Sequence, residues 1–367
     1  MKTFIFLSTI GVGGAEKRFS CLFIYLTRIL KADVHLVLDR RTFDKLSIQP
    51  ETVELSLDDV RLHIYDLKNG SFLNFSKAVN RFLALQTGPC CAHFPLKVPF
   101  ILKKNRPSRL LASWVSTSLP KVSDSSLNLF IGVWFGLISA DVIDVLNPEV
   151  FARLNQLLIF KKKIKITEGG TFIDAKIYKP ASKLDEVVFL GRLEAEKQAL
   201  RLVRCLPELF SQLVNAGYPK LKFLILGDGD QSREIEDELS KSVYEGIPVQ
   251  VGYTDNPSKK LSSASIFLSL QRTSNYPSKS LAESLASGAY PVVTEAGDTG
   301  IFLEGCPHFS YVPIEFSPID LFEAIANFLG NTKEAKLKIS AENAAYASAR
   351  FNIDRQARYF LDLYRSV

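Results

Sequence analysis

The sequence predicts an α/β protein built from two doubly wound, Rossmann-like domains. Short apolar runs rich in β-formers alternate with longer helical patterns along the 367-residue chain, which is typical of parallel sheets covered by helices. This length exceeds what one ordinary core needs. The halves also differ in charge. Residues 1–170 carry 23 Lys and Arg against 14 Asp and Glu, whereas residues 171–367 carry 22 against 25.

Composition excludes several classes of protein. A hydrophobic content of 47% with 23% charged residues is that of a globular chain. The apolar run Thr3–Ile10 is broken at once by glycines, unlike a secretory signal, and Leu127–Ile138 is shorter than the roughly 20 residues that span a bilayer. Five scattered cysteines without a Cys-x-x-Cys pair indicate neither a zinc site nor a disulfide framework. We expect a cytoplasmic protein.

The first half is predicted to begin with a strand, a glycine loop and a helix. Later elements are less regular, and the adjacent Cys90 and Cys91 are interpreted as buried packing. The predicted strands are Thr3–Leu7, Val34–Leu38, Arg61–Asp66, Arg109–Val115 and Val142–Leu146, and the predicted helices are Ala15–Leu30, Phe75–Gln86 and Ser125–Ala140.

The second half is more regular, and its continuous apolar strands are those of a parallel sheet buried on both faces. The basic stretch Lys161–Lys165 is interpreted as the approach to a domain boundary, and the polar Lys179–Lys183 as a linker. The predicted strands are Glu186–Leu190, Leu221–Leu226, Val249–Val251, Ser265–Leu270 and Tyr290–Thr294. The predicted helices are Gln198–Val214, Ser232–Val243 and Ser278–Ser287, with a nearly all-helical tail from Pro318.

Ligands of open α/β sheets bind beyond the carboxyl ends of the strands, so the loops that follow strands are the candidate sites. The first loop contains Gly13 and Gly14 and opens a helix, which suits a phosphate or sugar, although a purely structural glycine turn is as good an interpretation. The second holds Arg192 and Lys197, two cations that could converge on a diphosphate or could pair with Glu194 and Glu196 at the surface.

Two further loops offer polar groups. Asp228 and Asp230 could hold a divalent metal, but a tight turn with an Asp capping the next helix is the favoured interpretation. In the last loop, Ser278 could cap a helix whose first N–H groups face a phosphate. Glu283 on that helix could accept hydrogen bonds from ribose hydroxyls, and its apolar neighbours indicate a buried carboxylate that needs a partner.

Together these motifs resemble the family-4 retaining glycosyltransferases of the GT-B fold, also called glycosyl transferases group 1. The pattern is Gly-Gly-Ala-Glu from Gly13, Gly-Arg-Leu with a later Lys from Gly191, Gly-Asp-Gly from Gly227, a Gly252 turn, and Asn-Tyr-Pro-Ser-x-x-Leu-x-Glu from Asn275. The resemblance implies two Rossmann-like domains facing a cleft: an acceptor domain over 1–175, a nucleotide-sugar domain over 176–345, and a C-terminal helix over 346–367 that returns to the first domain.

The resemblance also assigns roles to single residues. Arg192 and Lys197 would be the catalytic residues that bind the donor diphosphate and support its departure, and Glu283 would hold the ribose. Ser280 and Leu281 would offer backbone N–H groups to the phosphates, Gly13 and Gly14 would line the cleft, and Tyr253 would pass near the base. No metal and no cofactor would be needed beyond the donor itself, which would be UDP- or GDP-linked.

The sequence departs from the family at two positions. The family often has a glutamate eight residues before the one equivalent to Glu283, and Asn275 stands there, where its amide can still hydrogen-bond a sugar. The family also often has a histidine near the sugar in its first domain. Ser116 or Trp114 occupies that region, and His93 is the nearby histidine. Whether His93 or Ser116 takes part is left open.

The function implied is that of a retaining, hexosyltransferase-like enzyme that moves a sugar to a saccharide or lipid-linked acceptor, in bacterial lipopolysaccharide or surface polysaccharide synthesis. The basic first half could meet an anionic membrane at its inner face, or carry only solvated side chains. No nucleic acid is expected as a partner. The alternative is a catalytically silent nucleotide-sugar-binding subunit. A sugar phosphorylase, a nucleotide-sugar epimerase and a nicotinamide dehydrogenase fit the motifs less well.

Overall fold

The structure of the chain is a computed structural model. It describes residues 1–7, 13–49, 52–67, 71–95, 97–115, 119, 127–167 and 169–365, with backbone only for 127–131. The chain forms two compact units. The first comprises Met1–Phe172 together with Ile353–Val367, and the second comprises Ile173–Asn352. The segment Lys179–Lys183, interpreted above as a linker, lies inside the second unit.

The described residues form strands and helices in alternation over most of the chain. The strands are β1 (Lys2–Phe6), β2 (Val34–Asp39), β3 (Leu62–Tyr65), β4 (Cys90–Pro95), β5 (Arg109–Trp114), β6 (Val142–Val145), β7 (Ile164–Ile166), β8 (Leu184–Leu190), β9 (Lys222–Leu226), β10 (Val249–Gly252), β11 (Ala264–Ser269), β12 (Tyr290–Thr294) and β13 (Ser310–Val312). The helices are α1 (Gly14–Arg28), α2 (Arg40–Leu46), α3 (Phe72–Ala84), α4 (Leu127–Ser139), α5 (Pro148–Asn155), α6 (Ala199–Asn215), α7 (Ser232–Leu239), α8 (Pro257–Ser263), α9 (Lys279–Ala286), α10 (Thr299–Phe302), α11 (Pro318–Leu329), α12 (Lys333–Arg350) and α13 (Ile353–Arg365).

Each unit contains one parallel sheet with the same winding. The first sheet has the order β3-β2-β1-β4-β5-β6-β7 and the second β10-β9-β8-β11-β12-β13. In both, the order reverses direction between the first and fourth strands, which is the doubly wound arrangement with a switch point at β1/β4 and at β8/β11. The predicted α/β class with doubly wound sheets is therefore confirmed.

The cores lie on both faces of each sheet, as the continuous apolar strands require. In the first unit, α3, α4 and α5 pack on one face, and α1, α2 and α13 on the other. In the second unit, α6 and α11 cover one face, and α8, α9 and α12 the other. Helix α6 shows why: its Leu202, Leu206, Leu209 and Leu213 recur at helical spacing and are all buried.

Helix α2 and three further elements of the first unit, β4, α5 and β7, were not predicted. Strand β4 reads Cys-Cys-Ala-His-Phe-Pro and carries few β-branched residues, so it forms because β1 and β5 pair with it on either side. Helix α5 begins at Pro148 behind an Asn147 cap. Part of the basic Lys161–Lys165 stretch becomes the edge strand β7. Among the helices of the described residues, none is long and apolar enough to cross a membrane.

Candidate nucleotide-sugar site

The carboxyl-end loops of β8 and β11 are joined by hydrogen bonds at the switch point of the second unit. The carbonyl of Glu196 accepts from the Arg272 N–H at 3.0 Å. The Glu196 carboxylate accepts from both the N–H and the hydroxyl of Thr273, at 2.9 and 2.6 Å. Surface pairing with a cation was one of two alternatives for Glu196, and in the structure Glu196 instead holds one loop against the other.

Lys197 is the cation that these loops enclose. Its Nζ donates to Oε1 of Gln271 at 2.5 Å. Burial, reinforced by the nearby Arg192 guanidinium, lowers the pKa of Lys197 to about 8. A lysine held this way keeps an ammonium at neutral pH that is only partly solvated, so a diphosphate that reaches it replaces little water. Lys197 thus forms no ion pair with Glu196, contrary to the surface interpretation.

Arg192 lies on the same loop but is far more exposed. Its side chain is 72% accessible and its Nη1 donates to Glu194 at 2.6 Å. The surface pairing weighed from the sequence is therefore what the structure shows for Arg192. An exposed ion pair of this kind contributes little to folding stability. The guanidinium can therefore leave Glu194 and bind an anion without destabilising the fold.

The Gly-Asp-Gly loop after β9 packs directly on the loop after β8. A Cβ on Gly227, whose φ is +157°, would lie 1.8 Å from the carbonyl oxygen of Gly191, and a Cβ on Gly229 would lie 2.4 Å from that of Leu193. Asp228 accepts from the Gly229 N–H and the Ser232 hydroxyl at the start of α7, so it stabilises a turn. Among the described residues, no cluster of three or more His, Cys, Asp or Glu side chains could hold a metal ion.

Helix α9 begins at this edge of the sheet. The Ser278 side chain caps it by accepting from the Leu281 N–H at 3.3 Å, as the sequence indicated. That N–H, assigned to the donor phosphates, is therefore already hydrogen-bonded, while Ser280 beside it is partly exposed. Glu283 is buried and its Oε1 lies 3.3 Å from Lys279 Nζ, which supplies the partner that a buried carboxylate requires.

Asn275 lies deeper than a ligand contact needs. It is fully buried, its Oδ1 accepts from Ser269 at 2.5 Å, and its Nδ2 is 3.2–3.3 Å from oxygens of Thr294 and Thr299. The Thr294 hydroxyl in turn donates to the carbonyl of Gln271. The amide therefore fixes the loop that carries Gln271, and its contact with a sugar stays a prediction.

The remaining assigned residues are distributed over several loops. Tyr253 follows β10 and is 68% exposed. In the first unit, Gly13 is the N-cap of α1, and its N–H donates to Glu16 at 2.8 Å. A Cβ on Gly14 would meet no atom within 4 Å, so Gly14 lies beside open space. Ser116 lies outside the described residues.

His93 belongs to a buried network in the first unit. Its Nε2 is 2.8 Å from the Ser113 hydroxyl and its Nδ1 3.0 Å from the Tyr364 hydroxyl. Complete burial lowers the pKa of His93 to about 3, so the ring is neutral. Because the Ser113 hydroxyl donates to Asp144 at 3.0 Å, the ring N–H must be on Nε2. His93 is a packing residue in this structure, with both nitrogens bonded inside the unit.

One residue at the site escaped the sequence reasoning. Gln271 accepts a hydrogen bond from Lys197, but a single glutamine is not part of a recognisable sequence motif. Its position was the available signal, because it comes two residues after the end of β11 at the switch point, where ligand-side groups collect.

Two doubly wound units of this kind define the class by architecture: the GT-B fold. Solved structures agree. Anabaena HepE, solved with UDP and glucose, superposes with a TM-score of 0.74 at 15% identity, covering 100% of both chains. Sucrose-phosphate synthase from Thermosynechococcus elongatus gives 0.74 at 15%, covering 100% of this chain and 98% of its own.

A third solved structure extends the comparison. Staphylococcus aureus TarM, in complex with Fondaparinux, α-GlcNAc-glycerol and UDP, gives a TM-score of 0.67 at 11% identity over 100% of both chains. Among curated proteins, none matches the chain in sequence. Residues 185–331 match the family described as glycosyl transferases group 1. This segment includes Arg192, Lys197 and Glu283, and it is what the chain shares with that family.

Proposed function

We propose that the protein is a retaining glycosyltransferase that takes a sugar from a UDP- or GDP-linked donor. The observation that carries the proposal is Lys197, a partly desolvated ammonium held by Gln271 at the switch point of the second unit. A nucleoside diphosphate gains negative charge as the glycosidic bond to its sugar breaks, and a fixed cation there stabilises the transition state. HepE, of the same fold, was solved with UDP-glucose.

The proposed roles follow from the positions of the side chains. Lys197 binds the diphosphate directly, and Arg192 leaves its exposed pair with Glu194 to join it. Glu283 lies on α9 and is only 5% exposed. Its carboxylate accepts hydrogen bonds from the ribose hydroxyls while it remains paired with the Lys279 ammonium. Tyr253 lies by the base, and Ser280 and Leu281 by the phosphates. Gly13 and Gly14 keep their proposed role in substrate binding, and no metal or cofactor is required.

The acceptor is proposed to be a saccharide or a lipid-linked saccharide, bound mainly by the basic first unit. The leaving phosphate oxygen takes the acceptor proton. The sugar keeps its anomeric configuration, and no protein nucleophile is involved. The proposed setting is the bacterial cytoplasm, in lipopolysaccharide or surface polysaccharide synthesis, with peripheral contact at the inner face of the membrane.

Donor hydrolysis tests the proposal. The protein is incubated with UDP-, GDP- and dTDP-sugars, and the released nucleoside diphosphate is measured. We expect slow release from one donor and a loss of about 100-fold or more in Lys197→Ala, the range seen when one preorganised charge donor is removed from an active site. The matched control is Lys222→Ala, an exposed lysine at the start of β9 in the same unit, which should hydrolyse the donor normally.

Equal rates in the wild type and Lys197→Ala would refute the assigned role of this lysine. A second candidate function is a silent nucleotide-sugar-binding subunit, favoured by one observation: Asn275 replaces a carboxylate and uses its amide inside the protein. Tight donor binding with no turnover under any acceptor would identify this second function.

A further inference from the structure

One face of the first unit exposes apolar side chains that no packing within the unit explains. They come from three segments: the stretch 97–106 between β4 and β5, helix α4, and the stretch 156–163 between α5 and β7. Leu158 and Ile159 are 86% and 61% exposed, and Phe135 on α4 is 47% exposed. We name this surface the apolar-basic face; its apolar members are Phe100, Leu102, Phe135, Ile138, Leu158 and Ile159.

Contacts between the three segments bring these side chains onto one surface. The Phe100 ring lies 5.3 Å from that of Phe135. Arg106 donates to the carbonyl of Ser139 at the end of α4 at 3.1 Å. From the other side, Lys163 Nζ donates to the carbonyls of Leu137, Ile138 and Ala140 at 2.7–3.1 Å. Both stretches therefore meet at the C-terminal end of α4.

The same stretches carry positive charge and no acidic residue. The first includes Lys103, Lys104 and Arg106, and the second Lys161 and Lys162, all of them exposed. Apart from Arg106, which pairs with Asp141 at 2.8 Å, these side chains form no ion pair with a carboxylate in the part of the chain that the structure describes. Lysines beside exposed apolar groups can lay their stems along them and keep their ammonium groups in water.

We infer that the apolar-basic face docks the protein on an anionic lipid bilayer. Monomeric proteins rarely expose large contiguous apolar patches, and those that do use them for binding. Protein interfaces are depleted in lysine, whereas an anionic membrane attracts each lysine or arginine near its surface. The side chains of Phe135, Leu158 and Ile159 would enter the boundary between headgroups and acyl chains, as the apolar side of an interfacial helix does.

Within the first unit, the docking surface lies away from Gly13 and Gly14. The C-terminal end of α4 leads into β6 at the amino ends of the strands, whereas Gly13 follows the carboxyl end of β1. Bilayer docking deepens the proposed function by naming its membrane contact, but it is measured without turnover. A failure of docking is therefore distinguishable from a failure of glycosyl transfer.

Vesicle flotation tests the inference with the full chain. Phosphatidylcholine vesicles with and without phosphatidylglycerol are mixed with the protein and floated. We expect binding only to the phosphatidylglycerol vesicles and release at high salt. Lys161→Gln with Lys162→Gln should lower binding about tenfold, since each cation near an anionic surface contributes severalfold. Leu158→Ser with Ile159→Ser should lower it comparably.

Matched controls come from the second unit. Lys220→Gln with Lys222→Gln removes two exposed lysines, and Val243→Ser with Leu337→Ser removes two side chains that are 56% and 60% exposed; both should float as the wild type does. Absence of binding, equal binding to both vesicle types, or binding unchanged by the 158/159 and 161/162 variants would overturn the inference. So would sedimentation as a dimer that Leu158→Ser with Ile159→Ser dissociates, because a second copy would then cover the face.

Discussion

The two units share one winding order but use its carboxyl edge differently. In the second unit, Lys197 and Arg192 stay partly or largely accessible beside the switch point. In the first unit, His93, Ser113 and Asp144 lie on β4, β5 and β6 and are all buried. The first set can meet a ligand, whereas the second meets only other protein groups. Polar residue types that suggest catalysis are therefore buried within the protein in one sheet, whereas the other sheet keeps its cations accessible to a ligand.

The buried network of the first unit attaches the C-terminal helix. Asp144 accepts from Ser113, from Thr167 at 2.6 Å, and from the Tyr359 hydroxyl on α13 at 2.7 Å. Complete burial raises the pKa of Asp144, while these hydroxyls and the Arg18 charge oppose the rise. The chain of donors runs from Tyr364 through His93 and Ser113 to the carboxylate, which secures α13 at two of its residues.

The largest expected effect is that of Asp144→Ala. Two buried hydroxyls, of Ser113 and Thr167, and the partly buried hydroxyl of Tyr359 would lose their acceptor. Each unsatisfied buried group costs about 1–3 kcal/mol, so we expect the first unit to lose roughly 3 kcal/mol of unfolding free energy. Urea denaturation followed by circular dichroism measures it. Asp58→Ala, at an exposed turn, should change stability by less than about 0.5 kcal/mol. Equal stability of both variants would show that the network does not hold α13.

Asn275 gives the next largest effect and separates a structural from a sugar-binding role. Because its amide bonds Ser269, Thr294 and Thr299 without exposure, Asn275→Ala should cost about 2–3 kcal/mol, measured by thermal or urea unfolding. Asn215→Ala, exposed at the end of α6, is the control and should be neutral. A fall in turnover with unchanged stability would instead place Asn275 at the transferred sugar and contradict the structural role.

The smallest effect is a pH dependence of donor binding. Lys197 has a pKa of about 8 in the protein, so its ammonium is lost as the pH rises through 8, and UDP affinity should fall about tenfold between pH 7 and pH 9. Calorimetric titration measures it. Gln271→Leu removes an oxygen that favours the charged form, so the fall should begin at lower pH. Gln250→Leu, exposed on β10, should leave the profile unchanged.

A pH-independent affinity would show that Lys197 does not contact the diphosphate. The same lysine also determines in which direction the folding stability changes with pH. Its pKa is lowered from 10.5 on folding, so between about pH 8 and 10.5 the unfolded chain binds more protons, and stability from this group rises with pH. Binding and stability thus move in opposite directions in alkaline solution, which separates the two effects in one titration series.

Much of the fold was predictable because its signals are local. The predicted strand Val34–Leu38 lies within β2, which is buried along its whole length, and the Ser278 cap of α9 follows from the affinity of a hydroxyl for first-turn N–H groups. Strand β4 was missed because its stability comes from two neighbouring strands and not from its own residues. The turn role of Asp228 was favoured from sequence because no other carboxylate is obviously recruited there, and its hydrogen bond with the Gly229 N–H agrees with a turn.

The sequence by itself determined the α/β class, the positions of the strand-end loops and the family motifs that contain Arg192, Lys197 and Glu283. These depend on residue type and spacing along the chain. Only the tertiary structure decided which polar groups are accessible: it buried Asn275 and His93, exposed Arg192, and set Gln271 against Lys197. The physical reason is that burial and hydrogen-bond partners come from residues far apart in sequence, and these fix whether a polar side chain serves the fold or a ligand.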